Sequence, residues 1–204
     1  MLFSKGAEAE LISCRSSGRE ALCKRRNRKR YRVHALDSQI RESRTRKETK
    51  ILHALKLVGI RCPLVFHADL LKKEIIMEKI DGTRLFDSLK SATPAKRRKL
   101  LLSSGRILAT MHSANIIHGD FTPANILVEG KDSLAIIDFG LSDFSTSVEE
   151  KATDLLIFKK SVSEKDFRIF LEGYKKGCRK FPETTRRLSE IEKRGRYVVR
   201  AQAN

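Results

Sequence analysis

Apolar positions change period several times along the chain, and each change marks an element. Leu11, Ile12 and Cys14 precede the turn Arg15-Ser16-Ser17-Gly18, and Ala21, Leu22 and Cys23 follow it. This pattern predicts strands over residues 7–14 and 20–24. Over residues 37–58 the period lengthens. Ile51, Leu52, Leu55 and Val58 recur at helical spacing, Asp37 or Ser38 stands ready to cap, and Gly59 closes the run. Residues 64–68 and 74–80 return to strand character and complete a small antiparallel sheet, which the chain leaves at Asp81-Gly82. Thr93-Pro94 is a cap followed by proline at the first helical position. The helix it opens runs to about Ser113, with Leu101, Leu108, Met111 and His112 inward. Ile126-Leu127-Val128 and Leu134-Ala135-Ile136-Ile137 flank the polar turn Glu129-Gly130-Lys131-Asp132-Ser133, a further hairpin. Helices are expected over residues 149–160, 164–176 and 182–193. Residues 194–204 show no apolar period and read as a mobile tail.

At 204 residues the chain can bury one good core or two small lobes. Its 43 Lys and Arg against 25 Asp and Glu leave a net charge of +18. That excess predicts a polyanionic partner, most simply nucleic acid. The basic residues cluster, at residues 24–32 and again at Lys193, Arg194, Arg196 and Arg200. In the second cluster Gly195 permits a bend, and Tyr197 is suited to stack on an unpaired base. Arg194, Arg196 and Arg200 are therefore the candidate nucleic-acid contacts. Cys14, Cys23, Cys62 and Cys178 are scattered without metal-ligand spacing, as expected of reduced thiols in a cytoplasmic protein. The start, Met1-Leu2-Phe3, is too short for the apolar core of a signal peptide, and no apolar run approaches the length of a membrane span.

The chemistry concentrates between His118 and Gly140. His118-Gly119-Asp120, then Asn125, then Asp138-Phe139-Gly140 would be held near one point by the intervening hairpin. Phosphoryl transfer needs such a set. One carboxylate, Asp120, orients or deprotonates the nucleophile; an amide and a second carboxylate, Asn125 and Asp138, offer hard oxygens to magnesium. The spacing resembles the kinase catalytic loop and metal loop. Gly119 stands where regulated kinases carry the arginine that reads a phosphorylated activation loop, so no such switch is expected. Ala21-Leu22-Cys23-Lys24 fits the strand that carries the phosphate-binding lysine. Glu48 lies three and four residues before Ile51 and Leu52, so it shares the inward helix face and is placed to pair with Lys24. Met77, Glu78 and Ile80 occupy the hinge position, Met77 behind the base and the other two offering main-chain contacts. The glycine-rich loop is degenerate, with Gly6 and Gly18 in place of a full motif.

Four further stretches narrow the resemblance. They are Gly6-Ala7-Glu8-Ala9, Lys29-Arg30-Tyr31-Arg32 with Leu36-Asp37, Glu150-Lys151-Ala152-Thr153-Asp154-Leu155, and Arg194-Gly195-Arg196. With these the chain resembles the RIO-like small kinase subunits of the KEOPS complex, which makes the threonylcarbamoyl modification of tRNA. The family usually has Asp at the position of Glu150 and Val at that of Thr153. The resemblance implies an α+β, minimal bilobal protein-kinase-like fold: a small antiparallel sheet plus one long helix in the N-lobe (residues 1–80), a mostly helical C-lobe (residues 81–193), and a basic tail (residues 194–204). It implies ATP and magnesium, with the nucleotide between the lobes. The activity serving the complex would be ATP hydrolysis, with serine phosphorylation also seen in the family. Asp154 would support the catalytic loop. The implied partners are the threonylcarbamoyl-transferase subunit on the C-lobe, a second small subunit on the N-lobe, and tRNA. Two rivals are a small-molecule phosphotransferase and a non-catalytic RNA-binding scaffold. The short stretch between Asp81 and His118 argues against the first, and the full set of Lys24, Glu48, Asp120, Asn125 and Asp138 against the second.

Overall fold

The computed structural model describes residues 2–5, 9–29 and 31–201, with side chains over 9–29 and 31–194. Gly6, Ala7 and Glu8 of the expected glycine loop, Arg30, and the side chains of Arg196 and Arg200 lie outside the described residues. The chain forms two compact units, Met1–Asp81 and Gly82–Asn204.

The first unit contains β1 (Leu2–Lys5), β2 (Ala9–Ser16), β3 (Arg19–Arg26), the helix α1 (His34–Leu57), β4 (Val65–Asp69) and β5 (Glu74–Glu78). The strands form one antiparallel sheet in the order β1-β2-β3-β5-β4, with β3 central. Successive side chains of a strand alternate between faces. Leu22, Lys24 and Arg26 therefore share a face of β3, and Leu22 pairs in register with Met77. Leu22, Ile75 and Met77 form the buried cluster on that sheet, with Leu11 and Val65 packed against it.

The long helix α1 packs on β4 and β5 through Ile51, Leu52 and Leu55, all buried. Two features differ from the sequence expectation. The helix starts at His34, not at Asp37, because the Asp37 N–H already donates to the Val33 carbonyl. Asp37 caps nothing; its fully buried carboxylate accepts the Lys29 N–H and the Arg41 guanidinium. At the other end, Val58 is the C-cap residue and is exposed, so the apolar stripe ends at Leu55.

The second unit begins with β6 (Thr83–Arg84), α2 (Leu85–Ser91) and α3 (Pro94–Ser113), followed by β7 (Ile116–Ile117) and a 3-10 turn at Pro123–Asn125. The hairpin of β8 (Ile126–Glu129) and β9 (Ser133–Ile136) comes next, then β10 (Asp143–Phe144). Three helices complete it: α4 (Val148–Lys160), α5 (Glu164–Gly177) and α6 (Phe181–Ala201). The Thr93 hydroxyl accepts the Lys96 N–H, as the cap signal predicts. Helices α3 and α5 cross at two glycines. A Cβ on Gly105 would lie 2.1 Å from the Phe170 carbonyl oxygen, and one on Gly173 would lie 2.1 Å from that of Leu102. Beneath them Phe158 and Phe170 stack at 3.9 Å, with Phe121 and Phe167 against Phe170.

The expected tail is instead the end of a helix, since α6 continues to Ala201. The sequence carries no apolar period over residues 194–201, and the turns of α6 before them are joined to α4 by ion pairs. Lys159 of α4 meets Glu192 at 2.8 Å, and Glu149 of α4 receives both Arg187 and Arg194. Among the described residues no helix is long and apolar enough to cross a membrane. The cysteines are free thiols, and burial pushes that of Cys62 up to about 11.

Candidate active site

In the first unit Lys24 and Glu48 meet as the sequence predicts. The Lys24 Nζ donates to Glu48 Oε1 at 2.6 Å, with both side chains buried. A third residue, Arg26, joins them. Its guanidinium donates to the other oxygen, Glu48 Oε2, at 2.5 Å, and it is also buried. At the hinge, Met77 belongs to the sheet's apolar cluster. The Glu78 carboxylate takes two N–H groups of Arg61, at 2.7 and 2.8 Å, and the Leu64 N–H. The Glu78 main-chain N–H donates to the Leu64 carbonyl. Arg61 and the Leu64 N–H hold the Glu78 carboxyl below the usual glutamate range, with Arg61 the larger influence. Ile80 follows β5, half-buried.

In the second unit the segment from His118 to Asn125 is fastened at several points. His118 is fully buried; its Nδ1 accepts the Asp120 N–H and its Nε2 donates to the Ile137 carbonyl. Burial lowers its proton affinity, in keeping with a neutral ring of that tautomer. Asp154, on α4 and fully buried, accepts the N–H groups of His118 and Gly119, each at 2.8 Å. Phe121 packs among Phe158 and Phe170, and Phe139 packs on His118 at 5.0 Å between ring centroids. Asp120 and Asn125 are in contact: the Asn125 side-chain N–H₂ donates to the carboxylate and to the carbonyl of Asp120, both at 2.9 Å. That leaves the Asn125 side-chain carbonyl oxygen as the atom able to take a cation. Asp138 sits in a loop at φ +61°, exposed, between the buried Ile136 and Phe139. An amide oxygen and a carboxylate are hard donors, and magnesium commonly takes only one or two protein ligands and completes its shell with phosphate and water. Among the described residues no cluster of three or more His, Cys, Asp or Glu offers an all-protein metal site. Asn125 and Asp138 thus fit magnesium in its nucleotide-bound mode.

Gly119 has a structural reason beyond the missing arginine. It adopts φ +80°, and a Cβ there would lie 2.5 Å from the Leu141 carbonyl oxygen. Gly119→Ala should therefore lower stability by about 1–2 kcal/mol from backbone conformation alone, and more from the clash. Denaturant unfolding checks this; an unchanged midpoint would show that the loop yields freely. The segment after Gly140 is short: β10 pairs with β7, and the Ser145 N–H donates to the Asn115 carbonyl. Glu150, at the departure from the usual family pattern, accepts the Ser145 hydroxyl.

Two residues escape motif reading. Arg26 is one of a run of cations in the sequence and only the strand pleat turns it inward. Tyr174 bonds His112 Nδ1 at 2.8 Å, while His112 Nε2 meets Asp154 at 3.2 Å.

Fold and site together define a protein-kinase-like catalytic domain. The protein kinase domain family matches residues 5–167. A probable bifunctional tRNA threonylcarbamoyladenosine biosynthesis protein of Methanosphaera stadtmanae is 41% identical over 201 residues, covering 95% of this chain and 36% of that protein. The KEOPS complex subunit Bud32 of Pyrococcus abyssi is 34% identical over 216 residues, covering 98% of this chain and 97% of that subunit. The crystal structure of the Rio2 kinase-ADP/Mg2+-phosphoaspartate complex from Chaetomium thermophilum superposes with a TM-score of 0.59 at 16% identity, over 96% of this chain and 70% of that one. The chain thus spans about a third of the bifunctional relatives and nearly the whole of the Pyrococcus subunit. It belongs to the protein kinase domain family and, within it, to the Bud32-like atypical kinases.

Proposed function

We propose that the chain binds Mg-ATP and hydrolyses it, or passes the γ-phosphoryl group to a local serine, in service of a KEOPS-type assembly that modifies tRNA. The observation that carries the chemistry is the preassembled pair of Lys24 and Glu48 in the first unit, in a chain whose second unit supplies the full set of Asp120, Asn125 and Asp138. The pathway rests on the end-to-end similarity to the Pyrococcus subunit. Lys24, held by Glu48, neutralises the α- and β-phosphates. Asn125 and Asp138 would hold magnesium; Met77 sits behind the base, and Glu78 and Ile80 offer it main-chain contacts. Asp120 orients water or accepts a proton from a serine hydroxyl. Bound magnesium supplies charge neutralisation at the phosphates; preorganised electrostatics of this kind carries most of phosphoryl-transfer catalysis. The short segment after Gly140 lacks a platform for a protein substrate, and the stretch between Asp81 and His118 holds no helices beyond α2 and α3 from which to build a small-molecule pocket.

The partners in this reading are the threonylcarbamoyl-transferase subunit at the second unit, a second small subunit at the first, and tRNA, in the cytoplasm. Arg194, Arg196 and Arg200 are the proposed phosphate contacts at the end of α6. The direct test is magnesium-dependent ATP turnover, measured alone and with the transferase subunit plus tRNA; its absence in both settings would remove the reading. A mutant cycle adds resolution. Lys24→Ala and Glu48→Ala should each slow turnover, and the double variant should be little worse than either, because the two act as a unit. Fully additive losses would separate Glu48 from the phosphate-binding lysine.

A further inference from the structure

The Glu48 carboxylate is shared between two buried cations, and only one of them has a role in the proposed phosphate site. Lys24 takes Oε1 and Arg26 takes Oε2. The two cations are two residues apart on β3 and so project from the same face. With one oxygen engaged by each cation, a carboxylate that swings away from Lys24 must also strain or break its bond to Arg26.

Arg26 also reaches α1 a second time. Its main-chain carbonyl accepts the Arg41 guanidinium at 3.3 Å. Arg41 and Glu48 are seven residues apart, two turns along one face of the helix. One strand residue thus grips α1 at two points two turns apart. The Arg41 side chain continues to Asp37, which accepts the Lys29 N–H from the segment leading into the helix. Every member of this set lies within the first compact unit.

In kinases that are switched, the pair of lysine and helix glutamate must be assembled, and displacement of that helix breaks it. Here the glutamate has a second cation, a planar guanidinium that is more weakly hydrated than an ammonium. We propose that Arg26 is a positioning residue for the nucleotide site, holding Glu48 and α1 in the Lys24-paired arrangement before nucleotide arrives. Arg26 then keeps hold of α1 when Lys24 turns toward phosphate, and no phosphorylation or ligand is required to bring the helix in. The absence at Gly119 of the catalytic-loop arginine that reads a phosphorylated activation loop points the same way. This inference rests on the reading of Lys24 as the phosphate-binding lysine.

The test uses the full chain in four forms: Arg26→Met, Arg26→Lys, Glu48→Gln, and Arg26→Met with Glu48→Gln. The first readout needs no nucleotide. Hydrogen exchange over residues 41–52 should speed up about tenfold or more in Arg26→Met, since exchange reports local opening. In Arg26→Lys, which keeps the cation, protection should be at least partly restored, and in the parent chain Mg-ATP should change protection there little. The second readout is kinetic. Arg26→Met should lower kcat about 10–100-fold, the range seen when residues that orient a ligating side chain are lost. Its split between kcat and KM should match that of Glu48→Gln, and the double variant should be no worse than Glu48→Gln alone. If Arg26→Met does not fold, Arg26→Lys and the charge-balanced double variant carry the comparison. Unchanged exchange in Arg26→Met, or in the double variant where that single variant does not fold, or additive kinetic losses, would overturn the proposal. Calorimetric binding of Mg-ATP to the parent chain keeps the two readings apart: no binding defeats the nucleotide-site reading itself, whereas binding with unaltered α1 exchange defeats this inference alone.

Discussion

Asp138→Asn is expected to abolish magnesium-dependent ATP turnover while leaving the fold intact. The substitution is isosteric, and the residue is exposed at φ +61°, a backbone region that Asn tolerates as well as Asp. Its neighbour Phe139 supplies the packing that anchors the loop, buried against His118. The Asp138 carboxylate accepts the Gly140 N–H at 3.4 Å, a bond that an Asn oxygen can also accept, so stability should move by no more than about 1 kcal/mol. What is lost is the charge of the proposed magnesium ligand, with the Asn125 oxygen left as the remaining protein donor. Asp120→Asn should cost about 10²–10⁴ in rate if its carboxylate accepts the proton in the transition state. The contact with Asn125 gives this variant a defined geometry, because an Asn at position 120 can present its own oxygen to the Asn125 N–H₂. Steady-state ATPase over a magnesium titration, with melting curves for each variant, separates lost chemistry from lost fold. Turnover near the parent level in both variants would remove the kinase-like mechanism.

How much of this was readable in the sequence depends on the kind of signal. Hairpins and the long helices follow from apolar period and turn residues, and the helix from Thr93-Pro94 to Ser113 is found as expected. The pairing of Glu48 with Lys24 was also legible, because Ile51 and Leu52 fix which face of α1 is inward. Arg26 was not. Among the cations of residues 24–32 nothing local marks it as buried, and its place depends on the register of β3 with β5. Asp37 shows the converse error. An acidic residue before an apolar stripe looks like a cap, yet the helix extends past it and its carboxylate serves the preceding segment. The helix over residues 194–201 could not be read from apolar period, because the sequence has none there; the turns just before it pair with α4 through Lys159–Glu192 and Glu149–Arg194. The catalytic loop's support was reached only through family resemblance, because the link from Asp154 to His118 spans 36 residues and has no local pattern.

That link is where a substitution should do the most damage to fold and chemistry together. Asp154 is fully buried and accepts three donors: Gly119 N–H on Oδ1, and His118 N–H with His112 Nε2 on Oδ2. His112 is itself held through Tyr174 on α5. Asp154 therefore ties α3, α4 and α5 to the backbone that presents Asp120. Asp154→Ala leaves three buried donors unpaired, at about 1–3 kcal/mol each, against a typical total stability of about 5–15 kcal/mol. Asp154→Asn keeps the shape but keeps only one acceptor oxygen, and its N–H₂ would face a backbone N–H. A fall in Tm of roughly 5–15 °C is expected for Asp154→Asn in a chain of this length, with a larger fall for Asp154→Ala. Turnover should drop in both even below the melting transition, because the Gly119 and His118 amides no longer have a fixed partner. Hydrogen exchange at those two amides is the most direct measurement, since it reads the bond itself. Protected amides and an unmoved Tm in Asp154→Asn would mean that the catalytic loop is held by its aromatic packing on Phe121 and Phe139, and that Asp154 merely sits beside it.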